Sequence, residues 1–149
     1  MNERILVPLD GSAHAFKALD YACDLAQKYG SALTLLHVVE TRELLRGARR
    51  YLDDTEKVEE PPVQEYERKI ADKVLDEAQR RARERGVKEI RKAAEHGNPA
   101  RTIVRVAESG GHDLIVMGTR GLSDIEGVVV GSVAHRVSHL APCTVITVH

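Results

Sequence analysis

Glycine and serine residues in the last quarter of the chain have a spacing that suits the binding of a phosphate group. Gly118 and Gly121 are separated by two residues, and after nine more residues Gly131 and Ser132 begin a predicted helix. Glycine lets backbone amides approach an anion without interference from a Cβ atom, and a helix N-terminus presents N–H groups with partial positive charge. Ser132 adds a hydroxyl donor and Arg120 a flexible positive charge. We therefore predict that a triphosphate is held between the glycine turn and the helix start.

This glycine pattern differs from the two most familiar nucleotide-binding motifs. The chain contains no Gly-Lys-Ser or Gly-Lys-Thr sequence, so it has no P-loop. The turn after the first predicted strand, residues 8–12, is Pro-Leu-Asp-Gly-Ser and not GxGxxG. Glycines are also common in loops after strands, so an alternative interpretation is that these three serve only the geometry of the chain.

Strand-like and helix-like segments alternate around this motif. Short runs rich in apolar and branched residues predict five strands, at residues 5–9, 32–39, 87–95, 113–117 and 143–148. Segments with helical periodicity predict the four helices that connect them, at residues 12–30, 63–86, 99–110 and 131–140. In the second helix the expected buried face consists of apolar residues: Val63, Tyr66, Ile70, Val74, Ala78 and Ala82. Residues 40–62 interrupt the alternation, and we expect a long, partly mobile insertion there, either a lid over a phosphate or a solvated excursion.

The alternation of strands and helices predicts an α/β fold with a doubly wound, five-stranded parallel sheet and helices on both faces. Two strand orders are common in such sheets. In the order 3-2-1-4-5, the chain direction switches between strands one and four, and ligands bind beyond the carboxyl ends of the strands at that point. This order places Pro8, Leu9 and Asp10 beside Met117 and Gly118.

Composition disfavours several other classes of protein. The length of 149 residues and the hydrophobic content of 42% are typical of one domain. With 22 basic and 23 acidic residues the chain lacks the positive field that generic nucleic-acid binding needs. No apolar run is long enough to span a bilayer and no signal peptide is recognisable, so we expect a cytoplasmic protein without a membrane partner. Cys23 and Cys143 form no CxxC pair, and we expect both to be small core residues.

Histidines offer few candidates for catalysis or metal binding. His135 and His139 lie four residues apart on a predicted helix, but no third ligand is evident, so a surface or dimer-contact role is expected. His37, on the second strand, is expected to be packed and hydrogen-bonded and not to act as a base.

The complete set of motifs resembles the universal stress protein family, and specifically its ATP-binding branch, whose glycine marker looks like Gly118-x2-Gly121-x9-Gly131-Ser132. The resemblance covers essentially the whole chain as one domain, residues 1–149. It depends on that marker and on five segments: residues 5–12, 36–39, 97–99, 113–118 and 141–145. It implies a fold similar to that of the adenine nucleotide alpha hydrolases, with the strand order 3-2-1-4-5.

The resemblance also implies the contacts of a bound adenine nucleotide. The residues expected around adenine and ribose are Pro8, Leu9, Asp10, Val38, Met117 and Gly118. The residues expected to contact the phosphates are Gly121, Ser123, Gly131, Ser132 and Val133. The implied ligand is ATP, or AMP or ADP, with Mg²⁺ or Mn²⁺ bound to the phosphates near Asp10.

The family resemblance further implies a nucleotide-dependent stress sensor or switch that acts as a homodimer with a regulatory protein partner. The apolar final strand, residues 144–148, is the expected dimer contact, since an exposed edge of this kind needs a partner or a cover. Binding is favoured over catalysis because the sequence offers no convincing base to activate water. The alternatives are a slow ATPase or other ATP-using enzyme, and an interaction dimer without nucleotide.

Overall fold

The computed structural model of the chain describes residues 3–40, 63–121 and 130–149. The strands in these ranges are β1 (Arg4–Pro8), β2 (Ala32–Glu40), β3 (Ile90–Gly97), β4 (Leu114–Gly118) and β5 (Thr144–Val148). The helices are α1 (Ala13–Tyr29), α2 (Val63–Glu84), α3 (Pro99–Ser109) and α4 (Ser132–Leu140). Of the predicted insertion only Glu40, the last residue of β2, is described. In the described ranges no helix is both long and apolar enough to cross a membrane.

All five strands are parallel and lie in the order β3-β2-β1-β4-β5, which confirms the predicted order. Pro8 at the end of β1 pairs with Leu36 of β2, and Leu6 pairs with Ile115 of β4. The carboxyl ends of β1, β2 and β4 therefore meet at one edge of the sheet, on either side of the switch point.

Two apolar layers cover the sheet, one on each face. Ile5 and Val7 of β1 pack with α1 and α2, whereas Leu6 between them packs with α3 and α4. These three side chains are fully buried, and full burial of such a side chain contributes about 1.5–3 kcal/mol. Burial on both faces explains why the strand is continuously apolar and not alternating.

Helix α1 begins and ends where its capping residues predict. The Ser12 hydroxyl accepts a hydrogen bond from the amide of Ala15, which satisfies one of the free donors of the first turn. Gly30 ends the helix in the left-handed conformation, with φ of 69°, and its amide donates to the carbonyl of Ala26. The N-terminus of α1 thus lies directly after the carboxyl end of β1.

Helix α2 buries only the second half of the predicted face, where Val74, Ala78 and Ala82 pack into the core. Ala71, Leu75, Ala78 and Ala82 are buried, whereas Tyr66 is 61% exposed and Ile70 is 41% exposed. The predicted face advanced mostly in steps of four residues, each of which rotates about 40° further around the helix, so that its first residues turn away from the sheet.

A buried glutamate is one reason why the first half of the buried face of α2 was predicted wrongly. Glu67 occupies the buried stripe of α2 at 7% exposure, and its Oε2 lies 3.2 Å from Nε2 of His96 on β3. An acidic residue at a buried position cannot be found from a pattern of apolar residues.

Strand β3 begins and ends later than predicted. It was predicted over residues 87–95, but it spans Ile90–Gly97, because β2 extends to Glu40 and pairs with β3 up to Gly97. The turn between β3 and α3 leads into a helix that begins at the predicted residue. The side chain of Asn98 caps α3 by accepting from the amide of Arg101, and Pro99 is the first helical residue.

The two cysteines differ in burial. Cys23 is fully buried on α1, and desolvation raises the pKa of its thiol from 9.0 to about 12. Cys143 is partly exposed and packs against the layer formed by α3 and α4. The prediction of a core position is therefore confirmed for Cys23 and only partly for Cys143.

His112 is expected to make the stability of the protein depend on pH. It is 9% exposed, its Nε2 lies 2.9 Å from Oγ1 of Thr34, and burial lowers its pKa below the usual 6.5. The unfolded chain therefore takes up the proton first, and the free energy of unfolding decreases as the pH falls below about 6.5. We expect urea unfolding between about pH 7 and about pH 5 to show that the free energy of unfolding falls more steeply for the native chain than for His112→Gln. If the free energy of unfolding falls equally steeply with pH in both proteins, His112 is not the cause of the pH dependence.

Candidate functional site

A cavity lies beyond the carboxyl ends of β1, β2 and β4, where the switch point of the sheet predicts a ligand. It encloses about 900 Å³, part of which is open solvent. Nine residues predicted from the sequence line it: Pro8, Leu9, Asp10, Val38, Met117, Gly118, Arg120, Gly121 and Val133. The structure therefore brings together residues from both halves of the chain.

Hydrogen bonds fix the carboxyl end of β1 at the cavity. The amide of Leu9 donates to the carbonyl of Leu36 at 2.7 Å. The Leu9 carbonyl can only accept, so Nδ1 of His37 donates to it, at 2.8 Å. Asp10 follows directly, and its Oδ1 accepts from the amide of Ser12 at 2.9 Å. His37 is 6% exposed, which confirms its predicted role as a packed, hydrogen-bonded histidine.

Gly118 has a steric role that the sequence did not reveal. A Cβ atom at this position would lie 2.8 Å from both Cβ and the carbonyl carbon of His14, and 3.0 Å from the amide nitrogen of Ala15. We predicted that this glycine gives an anion room to approach. In the structure the missing side chain gives room to the first turn of α1.

The loop after β4 is closed by backbone hydrogen bonds at its base. Thr119 is 1% exposed, and its amide donates to the carbonyl of Val148 at 2.9 Å. The Thr119 carbonyl accepts from the amide of Gly131, the N-cap of α4. Gly131 provides no side chain to cap the helix, so the first turn of α4 receives no side-chain hydrogen bond from its own cap residue. Such a helix start is suited to an external anion.

A second depression extends the cavity toward the starts of α3 and α4. It shares Glu40, Pro99 and Val133 with the first cavity, and Ser132 and Arg136 also line it. Ser132 therefore lines the second depression and not the first cavity, which the predicted nucleoside contacts line.

Two of the residues predicted to contact the phosphates are missing from the described lining of the cavity and of the second depression. Gly131 is buried and is not among the residues that line them. Ser123 lies outside the described residues.

Sequence reasoning missed three polar residues at or near this site. Glu40 ends β2 at the same edge of the sheet, so its position after Val38 and Val39 could have identified it. Thr119 lies inside the glycine motif itself. His14 had no distinguishing pattern and contacts the loop only through the tertiary structure.

The histidine pair of α4 has the predicted surface position. His135 and His139 are both exposed, and their ring centroids are 4.6 Å apart in an edge-to-face arrangement. Across residues 3–40, 63–121 and 130–149, no three His, Cys, Asp or Glu residues are grouped so that they could hold a metal ion.

Comparisons with known proteins agree with the fold and the motifs. The sequence profile of the Universal stress protein family matches residues 1–149. Universal stress protein YxiE of Bacillus subtilis is 34% identical over 156 residues, an alignment that covers 99% of each chain. The structure of universal stress protein UspA from Lactobacillus plantarum superposes with a TM-score of 0.77 at 27% identity, over 99% of this chain and 98% of that one. A universal stress protein solved in complex with cAMP gives a TM-score of 0.71 at 26% identity, over 99% and 97%. This chain belongs to the universal stress protein family.

Proposed function

We propose that this chain is a cytoplasmic ATP-binding protein, folded as one domain over residues 1–149, that acts as a nucleotide-dependent stress sensor or switch. The observation that supports this proposal is the cavity at the switch point, where an apolar slot adjoins the glycine loop and the start of α4. The related protein solved with cAMP supports an adenine nucleotide as the class of ligand.

The apolar part of the cavity is suited to the adenine ring. Val38, Ile103 and Met117 line it from β2, α3 and β4, so a base placed against them would lose contact with water. Asp10 also lines the cavity, where its carboxylate can accept a hydrogen bond from a ribose hydroxyl. Pro8 and Leu9 form the adjoining wall.

The phosphates are proposed to lie along the glycine loop and the start of α4. The backbone amide of Ser132 and the guanidinium of Arg120 supply a donor and positive charge, and Gly121 and Gly131 leave room for the phosphates because they have no side chain. Ser123 belongs to the same proposed set. AMP and ADP would occupy the same slot with fewer phosphate contacts, so ATP is the ligand that uses the whole arrangement.

A divalent cation is proposed to bind mainly through the phosphates. The described residues contain no group of three or more acidic, histidine or cysteine ligands, so a site made of protein alone does not fit what they show. Asp10 lines the cavity and can supply one carboxylate oxygen to Mg²⁺ or Mn²⁺ that is otherwise held by phosphate oxygens and water.

The ligand class is tested by identifying the nucleotide that the protein retains. The chain is purified without added nucleotide and denatured, and the released molecules are identified by chromatography and mass spectrometry. Nucleotide-free protein is then mixed with equal amounts of ATP, GTP, CTP and UTP, and unbound nucleotide is removed. We expect adenine nucleotide to be released and selectively retained, and recovery as ATP indicates binding without rapid hydrolysis. Equal retention of all four, or of none, would overturn the proposal.

A homodimer through β5 is the proposed assembly. The two outermost strands of the sheet differ in charge. Strand β3 includes Arg91, Lys92 and Glu95, whereas the sequence of β5, Thr-Val-Ile-Thr-Val, is uncharged. Charged side chains protect an edge strand from pairing, so the uncharged edge is the one suited to a second copy. The regulatory partner implied by the family resemblance remains a prediction without a proposed surface.

Substitution at the β5 edge is expected to change the mass of the assembly. Light scattering of the native protein should give about twice the chain mass of 16.5 kDa. Thr147→Lys, at an exposed position of β5, should shift the population toward the monomer, because two symmetry-related lysines would lie close together at the contact. Ala94→Lys, at an exposed position of the opposite edge strand, is the matched control and should leave the mass unchanged. A monomeric native protein would contradict this assembly.

A further inference from the structure

His14 contacts three consecutive residues at the end of β4, although more than 100 positions separate them in the sequence. Its backbone and Cβ occupy the space next to Gly118 that a side chain would fill. Its Nδ1 lies 3.3 Å from Oγ1 of Thr119, and its Nε2 lies 3.0 Å from a terminal nitrogen of Arg120. His14 is therefore the point where α1 meets the start of the glycine loop.

The partners of the imidazole ring determine which of its nitrogens bears the hydrogen. A guanidinium can only donate, so Nε2 of His14 must accept from Arg120 and is unprotonated. Nδ1 then bears the hydrogen and donates to Oγ1 of Thr119. Oγ1 of Thr119 in turn donates to the carbonyl of Val148 at 3.3 Å. This chain of hydrogen bonds fixes the neutral ring between the loop and the end of β5.

The neutral ring has a specific consequence for Arg120. A carboxylate at the same place would neutralise the guanidinium, whereas an uncharged imidazole orients it and leaves its positive charge available to an anion. Arg120 itself lines the cavity next to Gly121. Thr119, at 1% exposure, gives His14 a rigid support.

We propose that His14 is a positioning residue that holds the guanidinium of Arg120 at the phosphate end of the cavity. This inference rests on the proposed binding of adenine nucleotides, and it concerns the ligands that extend to the phosphates. An arginine that is already oriented loses less conformational freedom when the ligand binds. His14 therefore strengthens the binding of ATP and does not affect the binding of adenosine, which ends before the phosphates.

Two conservative variants separate the two hydrogen bonds of the ring. The terminal atoms of glutamine reach the position of Nε2, so His14→Gln keeps an acceptor for Arg120. The terminal atoms of asparagine reach only the position of Nδ1, so His14→Asn keeps the contact with Thr119 and loses the one with Arg120. Calorimetric titrations with ATP and with adenosine should show that His14→Asn and His14→Ala weaken ATP binding by about tenfold. His14→Gln should retain most of the affinity for ATP, and all three variants should bind adenosine as the native chain does.

A double-mutant cycle with Arg120→Ala tests whether the two residues act together. If His14 acts through Arg120, the double variant His14→Ala with Arg120→Ala binds ATP no more weakly than Arg120→Ala alone. Additive losses, or an equal loss for ATP and adenosine in His14→Ala, would overturn the positioning role. Unchanged ATP affinity in His14→Asn and His14→Ala would overturn this inference alone. A native chain that binds neither ligand would overturn the proposed function and this inference with it.

Discussion

Replacing Gly131 by aspartate is expected to weaken ATP binding by about 100-fold or more, which corresponds to about 2.7 kcal/mol. Gly131 is the N-cap of α4, with φ of −70° and ψ of 165°, a conformation that aspartate adopts readily. Aspartate at an N-cap stabilises a helix, so the fold should be kept. Its negative charge would lie at the start of α4, where the proposed phosphates accept hydrogen bonds from backbone amides. Like charges that lie close together repel each other. Calorimetric titration with ATP measures the loss.

Gly131→Asn is the matched control for this variant. Asparagine has nearly the same shape, is an equally good N-cap and has no charge. It should retain much more affinity for ATP than Gly131→Asp, and urea unfolding checks that both variants are folded. Equal ATP affinities for the two variants would show that no phosphate lies at the start of α4.

Replacing Gly118 by alanine is expected to lower the free energy of unfolding by about 1–3 kcal/mol, because the added methyl group overpacks a filled space. Its Cβ would lie 2.8 Å from two carbon atoms of His14 and 3.0 Å from the amide nitrogen of Ala15. Two of these three atoms belong to the backbone of α1, so relief requires a shift of the helix or of β4. For a chain of this size the melting temperature should fall by about 3–10 °C.

Urea unfolding, followed by circular dichroism, measures the effect of Gly118→Ala. Because α1 and the end of β4 also position His14 and Arg120, the same variant should weaken ATP binding. A free energy of unfolding within about 0.5 kcal/mol of the native value would show that α1 can move away from β4 at little cost.

The fold was largely predictable because each element has a local pattern that agrees with its environment. Buried parallel strands have continuous apolar runs, Ser12 and Gly30 mark the ends of α1, and Asn98 with Pro99 marks the start of α3. The predictions failed where tertiary contacts override the pattern. Glu67 lies in the buried stripe of α2, where apolar residues alone cannot define the buried face.

The site was predictable in outline and not in its polar contacts. The strand order and the glycine spacing were sufficient to bring Asp10 and Gly121 into one cavity. The contact of His14 with Arg120 depends on the way α1 crosses the end of β4, and no local pattern in the sequence records that crossing. The steric role of Gly118 was missed for the same reason.

The most direct test of the central claim is a calorimetric titration of the nucleotide-free protein with ATP in the presence of Mg²⁺. The proposed site predicts saturable binding that approaches one ATP per chain, and a much weaker response from Gly131→Asp than from Gly131→Asn. If the native chain shows no saturable binding up to about 1 mM ATP, the cavity is not an ATP site. An interaction dimer without nucleotide would then be the better account of this universal stress protein.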